Sequence, residues 1–599
     1  MSAVDRFTVD VLRNAFASIV DEMGVMLSRC AMSPVITQGR DFSGAVTTAE
    51  GELVMQGAYV LPGHVGTMPF TVELVLERFG DDIKPGDVLA TNDPHRAGTH
   101  LPDIRMIKPV FAEGRLIAFL INLGHFTDVG GALPGSFVAN AFDSLAEGFF
   151  LPPVKFVREG KLDQEMLDVI IANCRLPDLN RADLLALVAS LDLGESRFQQ
   201  LVEKYGADTI LAMFTEHLAA NEAALRAIIR DLPDGSYSLT DYIDRDPGKK
   251  TDDPLPCSLT LTVYGDRLVF DFTQTAQAAK GAVNGTLPAT TSGVINAIKC
   301  IYPDLELCAG INRAIEIKTT PGSILHSVWP SPVCGLSGSA FQKVVDLVFG
   351  CFAQIVPERV MACPATETNY VQYGDDPRPD SLFDQYILYV WTEGGYGARA
   401  DRDNGAFMTL FASGSMNQSV ELYEQLYPIL WERMELVSDS GGPGRQRGGL
   451  GDVRRVRLMH GESAVLSSFG DRERFPAWGL FGGERGRNQG FIVNPGTPDE
   501  VDIGVMTTGY EVVRGDFWDY WSGGGGGFGD PLERDPDLVL EDVKDEYVSV
   551  EGARRNYGVI VRAEGIVYDD WSVDADATGA LRAEARAARA PAGAPVAGS

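Results

Sequence analysis

Apolar residues recur along the chain with two periods, and each period predicts a different kind of element. Within residues 8–27, Leu12, Phe16, Ile19 and Met23 lie three or four positions apart, which is the spacing of an amphipathic helix. We expect this helix to pack on the sheet that follows it. Beyond it the chain changes to alternating and continuous apolar runs, which are typical of strands.

A β-hairpin is predicted where two apolar runs of strand length flank a turn. The runs are residues 104–111 (IRMIKPVF) and 116–123 (LIAFLINL), and Glu113-Gly114 supplies a two-residue loop between them. The same reasoning predicts two further hairpins, one over residues 41–55 and one over residues 259–272.

Helical periodicity returns in residues 181–231, with breaks expected near Gly194 and Gly206, and again in residues 341–355. Glycine and short strand-like runs dominate the last part of the chain. The pattern therefore predicts a mixed α/β (α+β), multidomain protein. Its expected parts are a β-hairpin-rich N-terminal metal-site domain (1–180), a helical connector (181–235), a central α/β domain (236–439), a β-rich, glycine-rich C-terminal domain (440–572) and a disordered tail (573–599).

The acidic excess of the chain narrows the class of partner. A net charge of -32 argues against nucleic acid or anionic lipid, and solubility is its simplest explanation. The 8 cysteines are scattered without a C-x-x-C pair, as in a reduced protein. No segment approaches the roughly 18 uninterrupted apolar residues of a membrane span, and the start, MSAVDRFTVD, does not resemble a signal peptide. We therefore expect a cytoplasmic protein with no membrane partner.

One four-residue spacing occurs twice at the open end of the first hairpin. His100 and Asp103 precede its first strand, and His125 and Asp128 follow its second. Folding the chain at the two-residue loop places Pro102 roughly opposite His125, so that both His-x-x-Asp groups converge.

Two imidazoles and one or two carboxylates form a mixed ligand set that suits Zn, Mn or Fe(II) and leaves positions open for water or substrate. We interpret this as a catalytic metal site. Alternatively, some of these residues only cap turns, where Asp is common. His64 lies in the same histidine-rich span and is either a further ligand or proton shuttle, or a loop histidine bonded to backbone.

The sequence lacks the usual motifs of nucleotide-binding and serine-dependent enzymes. It has no Walker A motif and no Gly-x-Gly-x-x-Gly fingerprint, and residues 271–275 lack the glycine of an ATPase phosphate loop. Residues 335–339 lack the second glycine of a nucleophile elbow. Gly523–Gly527 is either a phosphate cradle or, more simply, a flexible turn. We do not expect this chain to bind ATP alone.

A series of longer motifs runs in order along the chain up to about Asp570. The motifs are Arg40-Asp41-Phe42-Ser43, Thr91-Asn92-Asp93-Pro94, Gly98 to Asp103, Gly124-His125 with Asp128 to Gly131, Pro134-Gly135-Ser136, Pro152 to Lys155, Gly442 to Gly449, Gly523 to Pro531, Val548-Ser549-Val550 and Tyr557-Gly558-Val559. Together they resemble the hydantoinase B/oxoprolinase family. Its members include second subunits of ATP-dependent N-methylhydantoinases and lactamases, the C-terminal half of 5-oxoprolinases, and a large subunit of acetone and acetophenone carboxylases.

The resemblance implies a partner, an actin-like ATP-binding hydantoinase A-type subunit that phosphorylates the substrate oxygen before the intermediate reaches a metal site in this chain. It implies His100, Asp103 and His125 as metal ligands and catalytic residues, and Asp41 as a further ligand. Asp128 is implied as a weaker catalytic candidate that orients a ligand histidine. Phosphorylation would turn a resistant amide oxygen into a leaving group, and a metal would supply hydroxide near neutral pH.

The chain departs from the family pattern at His95 and Ala97, where an aromatic residue and a glycine are expected, and this bears on substrate selection. The overall prediction is the metal-bearing subunit of an ATP-dependent hydrolase of cyclic amides such as hydantoins, lactams or oxoproline, working in a hetero-oligomer. Two alternatives stay open. One is a subunit of an acetone- or acetophenone-type carboxylase, and the other is a non-catalytic scaffold for the ATPase partner.

Overall fold

The computed structural model describes residues 5–58, 60–408, 411, 414–562 and 570–588. These residues form a mixed α/β, multidomain architecture with several separate sheets, as the apolar pattern predicted. All eight cysteines are free. Within the described ranges, no helix is both long enough and apolar enough to cross a lipid bilayer.

The N-terminal part is built on one antiparallel sheet. Its strands are β1 (Phe42–Thr48), β2 (Leu53–Gln56), β3 (Val88–Thr91), β4 (Asp103–Ala112), β5 (Arg115–His125), β6 (Val154–Arg158) and β7 (Lys161–Leu162). Their order in the sheet is β2-β1-β5-β4-β3-β6-β7. The predicted hairpins are therefore both present, as β4-β5 and β1-β2, and they are neighbours in the sheet.

Helices cover this sheet on both faces. They are α1 (Arg6–Cys30), α2 (Pro34–Thr37), α3 (Pro62–Val65), α4 (Met68–Phe79), α5 (Gln164–Ala172), α6 (Pro177–Tyr205) and α7 (Ala207–Arg230). Phe16 of α1 and Leu187 of α6 belong to the core on one face, whereas Val72 of α4 belongs to the core on the other. Because both faces are buried, β5 reads as a continuous apolar run rather than an alternating one.

The predicted helix break at Gly206 is present, but the one near Gly194 is wrong. Gly206 separates α6 from α7 with a φ of 80°. Gly194 lies inside α6, where an added Cβ would stand 2.5 Å from Met23 Sδ of α1. This glycine therefore allows two helices to approach closely instead of ending one of them.

The central part combines a four-stranded sheet with helices. Its elements are β8 (Gly235–Ile243), β9 (Leu255–Tyr264), β10 (Arg267–Asp271), α8 (Leu287–Ile301), α9 (Ala309–Asn312), β11 (Ile315–Lys318) and α10 (Gln342–Ala353). The sheet order is β11-β10-β9-β8, and β9-β10 is the third predicted hairpin. Buried and half-exposed residues alternate along β9, as expected for a sheet with one solvated face. A π-helical turn at Ser337–Phe341 leads into α10.

Two antiparallel sheets make up most of the remaining chain. Their strands are β12 (Asn369–Asp375), β13 (Gln385–Val390), β14 (Ile429–Leu436), β15 (Asp452–Leu458), β16 (Ser463–Phe469), β17 (Gly490–Val493), β18 (Val501–Asp502), β19 (Thr507–Val513) and β20 (Phe517–Trp521). One sheet has the order β13-β12-β16-β19 and the other β14-β15-β20-β17-β18. Tyr370 of β12 packs with Trp518 and Tyr520 of β20, which joins the two sheets through an aromatic core.

Short elements complete the C-terminal part. They are α11 (Val420–Leu426), α12 (Pro536–Lys544), α13 (Val550–Tyr557), β21 (Val561–Arg562), β22 (Ser572–Val573) and α14 (Ala575–Ala588). The expectation of disorder is wrong where α14 forms, because Arg582 anchors that helix by donating to Tyr557 O and Arg534 O. The rest of that predicted tail, residues 589–599, lies outside the described residues.

Gly523–Gly527 forms neither a phosphate cradle nor a flexible turn. Gly525 donates to Gly449 O at 3.0 Å and accepts from Gly442 N–H at 2.7 Å. A Cβ added to Gly525 would lie 2.1 Å from Tyr396 O. The run is buried among other backbone segments, and only glycine leaves room for them.

Candidate metal centre

The β4-β5 hairpin brings Asp103 directly opposite His125. Counting back from the two-residue loop predicts Pro102 at that position, which is one residue off. The difference comes from a bulge at Ile117. Val110 pairs with Ala118 and Phe111 pairs with Leu116, so Ile117 is left unpaired. The bulge thus sets the register that places a carboxylate beside an imidazole.

Asp103 is the centre of a cluster of imidazoles. Its Oδ1 lies 3.2 Å from His125 Nδ1, and its Oδ2 lies 3.2 Å from His100 Nδ1. Ligand atoms of His100, Asp103 and His125 all lie within 4.8 Å of one another. The structure therefore brings together three of the four residues that the doubled spacing placed at the open end of this hairpin.

His64 also reaches this cluster. Its Nε2 lies 3.5 Å from Asp103 Oδ2, and Ser43 Oγ lies 3.0 Å from its Nδ1. Ser43 Oγ in turn accepts from Leu61 N–H, so the ring is held from behind by a fixed hydroxyl. Of the roles left open for His64, the position beside the carboxylate agrees with a ligand or a proton carrier, and its ring is bonded to a side chain rather than to backbone.

Asp41 comes to the same place from the other hairpin. It stands just before β1, where Phe42 pairs with Gly124, and His125 N–H donates to Asp41 O at 3.0 Å. Its side chain is buried and lines one cavity with His64, His100 and His125.

Arg105 and Thr99 fix the position of Asp103 by hydrogen bonds. The Arg105 guanidinium is fully buried and donates to Asp103 O at 3.1 Å and to Thr67 Oγ1 at 3.3 Å. The Thr99 hydroxyl donates to Asp103 Oδ2. The carboxylate is therefore fixed before any ligand arrives, which is the arrangement expected around a metal-binding residue.

Burial and charge fix the protonation of the cluster. Burial lowers the pKa of His100 to about 3, so its ring is neutral and able to ligate a metal. Although burial opposes it, the surrounding histidines hold the pKa of Asp103 well below its usual range. Burial raises the pKa of Asp41, and the carboxylates of Asp41 and Asp103 outweigh burial to raise the pKa of His125.

Two atoms of the cluster are buried without a hydrogen bond, and they test whether a metal fits. Asp41 Oδ1 has no partner among the described residues, and His100 Nδ1 is near Asp103 Oδ2 without the alignment of a hydrogen bond. Leaving such atoms unsatisfied costs about 1–3 kcal/mol each. A divalent cation held by Asp41, His100, Asp103 and His125 would satisfy both, so the residues fit the ion.

The far wall of the cavity comes from distant parts of the sequence. The cavity measures about 50 Å³, which holds a few waters or one edge of a small ring. Facing the histidines are Phe137, Ser337, Glu367, Asn369, Tyr389 and Trp391. The sequence predicted none of these, and only the π-helical turn that begins at Ser337 is a feature often found at functional sites.

Asp128 does not join the cluster. Its Oδ2 accepts from Arg175 Nη1 at 2.9 Å and from Gly135 N–H, and its Oδ1 accepts from Gly130 N–H and Arg175 N–H. Among the described residues, none of these bonds reaches a histidine. Asp128 thus holds the loop that follows β5, and the expected contact with a ligand histidine is not present.

His95 lies away from the cluster as well. Its ring meets Trp329 edge-on, with centroids 6.0 Å apart, and burial lowers its pKa to about 4. His95, where the chain departs from the family pattern, therefore contacts Trp329 and not the proposed ligands.

A second group of buried acids also presents metal-ligating atoms. Asp241, Asp346 and Cys363 have such atoms within 4.8 Å of one another. Here, however, Lys343 Nζ lies 3.3 Å from Asp241 Oδ2, and Arg472 Nη2 lies 3.1 Å from the same oxygen and also pairs with Asp346. Protein cations already compensate these carboxylates, so this group is a structural ion cluster.

Comparison with known proteins agrees with the resemblance. The family model described as hydantoinase B/oxoprolinase matches residues 5–531. An uncharacterized protein of Methanocaldococcus jannaschii is 33% identical, over 97% of this chain and 100% of its own length. The caprolactamase subunit beta of Pseudomonas jessenii is 30% identical, over 94% of this chain and 98% of its own.

Solved structures show the same relationship. The crystal structure of the ATP-dependent caprolactamase from Pseudomonas jessenii has a TM-score of 0.88 and 28% identity, and the match covers 97% of this chain and 100% of that one. A nucleotide-free structure of acetone carboxylase has a TM-score of 0.89 at 21% identity, covering 98% of this chain and 84% of that one, which shows a shared fold.

Proposed function

This chain belongs to the hydantoinase B/oxoprolinase family, and on that premise we propose that it is the metal-bearing subunit of an ATP-dependent hydrolase of cyclic amides. The observation that carries the proposal is the cluster of His100, Asp103 and His125 with Asp41 beside it, in which two buried ligand atoms lack hydrogen bonds. The caprolactamase relative supports the choice of a cyclic amide as substrate.

In this proposal Asp41, His100, Asp103 and His125 hold a divalent cation. The ion, when bound, would act as a Lewis acid that polarises an oxygen of the activated substrate, and it would lower the pKa of a water. Neutral imidazoles and carboxylates suit Zn, Mn or Fe(II) and do not distinguish among them.

The residues around the ligands have separate tasks. Arg105 and Thr99 hold Asp103 in place, so that the site needs little rearrangement when it is loaded. His64, held by Ser43, is positioned to carry a proton at the edge of the cavity. The aromatic rings of Tyr389 and Trp391 restrict the entry of bulk water.

Activation of the amide would come from a partner. The sequence lacks a nucleotide-binding motif, and the relatives include proteins described as subunits. We therefore propose a hetero-oligomer in which an actin-like A-type subunit uses ATP to phosphorylate the carbonyl oxygen of the cyclic amide. The product would then be hydrolysed beside the histidines of this chain.

ATP turnover by the purified complex tests this function. We expect turnover with hydantoins or lactams in the absence of bicarbonate, together with about one bound metal ion per chain. Turnover that requires bicarbonate and a ketone would instead identify a carboxylase subunit. If His100→Ala removes the metal while the complex stays fully active, the chain is a scaffold and the proposal fails.

A further inference from the structure

The N-terminus of a long helix lies in the cavity wall that faces the histidines. Residues 337–353 are helical throughout, because the π-helical turn continues directly into α10. Ser337 is the first residue of this helix and lines the cavity. The N-terminus of a helix carries a partial positive charge and backbone N–H groups that bind anions. This wall therefore presents a positive end of the backbone to the space beside the proposed metal ligands.

Two backbone N–H groups at the start of this helix have no protein acceptor. The Glu147 carboxylate accepts from Val333 N–H and Cys334 N–H, just before the helix. By contrast, the N–H groups of Ser337 and Gly338 donate to no protein atom among the described residues. Gly338 is buried, and a buried N–H group without a partner is rare in folded proteins. The first turn of the helix thus keeps two donors for a ligand.

A buried carboxamide from another part of the chain lines the same space. Asn369 is 6% exposed and lines the cavity with Ser337, and its Oδ1 has no hydrogen-bond partner among the described residues. Its segment packs closely on the helix start, since a Cβ added to Gly338 would lie 2.9 Å from Glu367 O. Rotation of a carboxamide by half a turn exchanges its oxygen and its NH₂ group. Asn369 can therefore turn a third donor toward the cavity.

We propose that Ser337, Gly338 and Asn369 bind the phosphoryl group of the activated cyclic amide, an inference that rests on the proposed function. The two backbone N–H groups, the Ser337 hydroxyl and the Asn369 NH₂ group would donate to phosphoryl oxygens. This phosphoryl group is carried by the oxygen of the carbon that is attacked. Its binding site must therefore share one cavity with the proposed metal ligands, and the helix start meets this requirement.

The size and the charge of the cavity agree with this role. Its volume of about 50 Å³ holds roughly three or four waters, which is the space that the terminal oxygens of a phosphoryl group need. Asp41 and Glu367 also line the cavity, and their carboxylates repel an anion when they are ionised. We therefore expect a phosphoryl group to bind when the divalent cation is present and much more weakly when it is absent.

Titration with inorganic phosphate tests this site. The full-length chain is loaded with Mn(II), which suits the ligand set, and calorimetry gives the dissociation constant of phosphate. Asn369→Leu and Ser337→Ala should each weaken phosphate about tenfold, because each variant loses a hydrogen bond to a charged oxygen. Ser337→Thr keeps the hydroxyl and should stay within about threefold of wild type.

Controls separate phosphate binding from folding and from the cation. Asn140→Leu and Ser196→Ala change exposed residues outside the cavity and should leave the dissociation constant within about twofold of wild type. Bound metal and the urea midpoint, measured for every variant, identify one that has lost the cation or is misfolded. Phosphate that binds wild type, Asn369→Leu and Ser337→Ala equally well is held by the cation alone, and this result overturns the inference.

The outcomes also distinguish this inference from the function on which it rests. If the complex turns over ATP with lactams while Asn369→Leu and Ser337→Ala bind phosphate as wild type does, the inference is overturned and the function stands. Weakened phosphate in both variants, with metal retained, supports the inference. A complex whose ATP turnover responds to no cyclic amide overturns the function and, with it, the assignment of the bound phosphoryl group to an activated amide.

Discussion

Two groups of carboxylates are buried in this protein, and they are compensated in opposite ways. In the central part, Lys343 and Arg472 neutralise Asp241 and Asp346 through ion pairs. At the open end of the β4-β5 hairpin, the imidazoles of His64, His100 and His125 surround Asp103, and Arg105 binds its backbone oxygen rather than its carboxylate.

The difference distinguishes a structural ion cluster from the proposed metal site. Buried charges are retained when they are paired, and removing one partner is strongly destabilising. A cluster that leaves Asp41 Oδ1 and His100 Nδ1 without hydrogen bonds gains from an added cation instead. Both groups offer ligand atoms close enough together to hold a metal ion, so this spacing does not distinguish them. What distinguishes them is whether protein cations neutralise the carboxylates.

The largest effect is expected when the compensated cluster loses a cation. Lys343→Met leaves Asp241 and Asp471 buried without their ammonium partner and should lower the free energy of unfolding by about 3–5 kcal/mol. Urea unfolding measures the loss, and metal content per folded chain should not change. Lys318→Met, at an exposed pair with Glu316, should cost less than about 0.5 kcal/mol. Equal losses in the two variants would contradict the comparison.

The converse change at the hairpin should remove metal and spare the fold. His100→Ala deletes a proposed ligand and should weaken metal binding at least about 100-fold, because even residues that only support ligands contribute 10–100-fold. Unfolding of the metal-free chain should shift by no more than about 1 kcal/mol. Metal titration and urea unfolding check the two halves of this prediction, and His460→Ala, at an exposed histidine, serves as the control. Unchanged metal affinity would remove His100 from the ligand set.

Glu147 is a third kind of buried carboxylate, because it has neither an ion pair with a protein cation nor a place among the proposed metal ligands. It accepts from Val333 N–H and Cys334 N–H, and burial raises its pKa from 4.5 to about 7. The folded state thus binds its proton more tightly, so this stabilisation is complete below pH 4.5 and is lost as pH rises through 7. The complete loss should be about 3 kcal/mol, of which about 2 kcal/mol falls between pH 5 and pH 8.

Urea unfolding at pH 5 and pH 8 measures this dependence. Glu147→Gln should reduce the difference between the two pH values by about 2 kcal/mol, whereas Glu77→Gln, at an exposed position, should leave it unchanged. The same pH difference in wild type and Glu147→Gln would show that Glu147 is ionised at little cost.

The smallest effect on metal binding is expected at Asp128. Asp128→Asn weakens the bond to Arg175 and should lower stability by about 1 kcal/mol. Metal affinity should stay within about twofold of wild type. Asp103→Asn is the matched control and should lose the metal. A drop in metal affinity for Asp128→Asn comparable to that of Asp103→Asn would restore Asp128 to the site.

Local patterns in the sequence predicted the wall of the cavity that carries the histidines. A single β-bulge made the predicted strand register wrong by one residue. The apolar runs and the Glu113-Gly114 turn determine the hairpin and bring His100, Asp103 and His125 together. The unpaired Ile117 leaves no mark in the apolar pattern, so the predicted register was one residue off. The second His-x-x-Asp was misleading, because after β5 the chain turns toward Arg175.

The other wall could not be read from local patterns. Asn369 and Trp391 lie far along the chain from the histidines, and no spacing links them to the hairpin. Composition misled in a different way at α14, where a segment rich in alanine and arginine forms a helix because Arg582 reaches backbone carbonyls of earlier elements. Long-range contacts of this kind are set by tertiary packing rather than by propensity.

The separation of the two walls also determines when each is made during synthesis. A ribosome adds about 5–20 residues per second, so His125 emerges about 10–50 s before Trp391. The hairpin and its helices lie within the first 230 or so residues, so for that interval the proposed ligands would lack their opposite wall. If the proposed metal ion binds, the nascent chain would have access to it before the cavity closes, in an order that refolding of the complete chain does not impose.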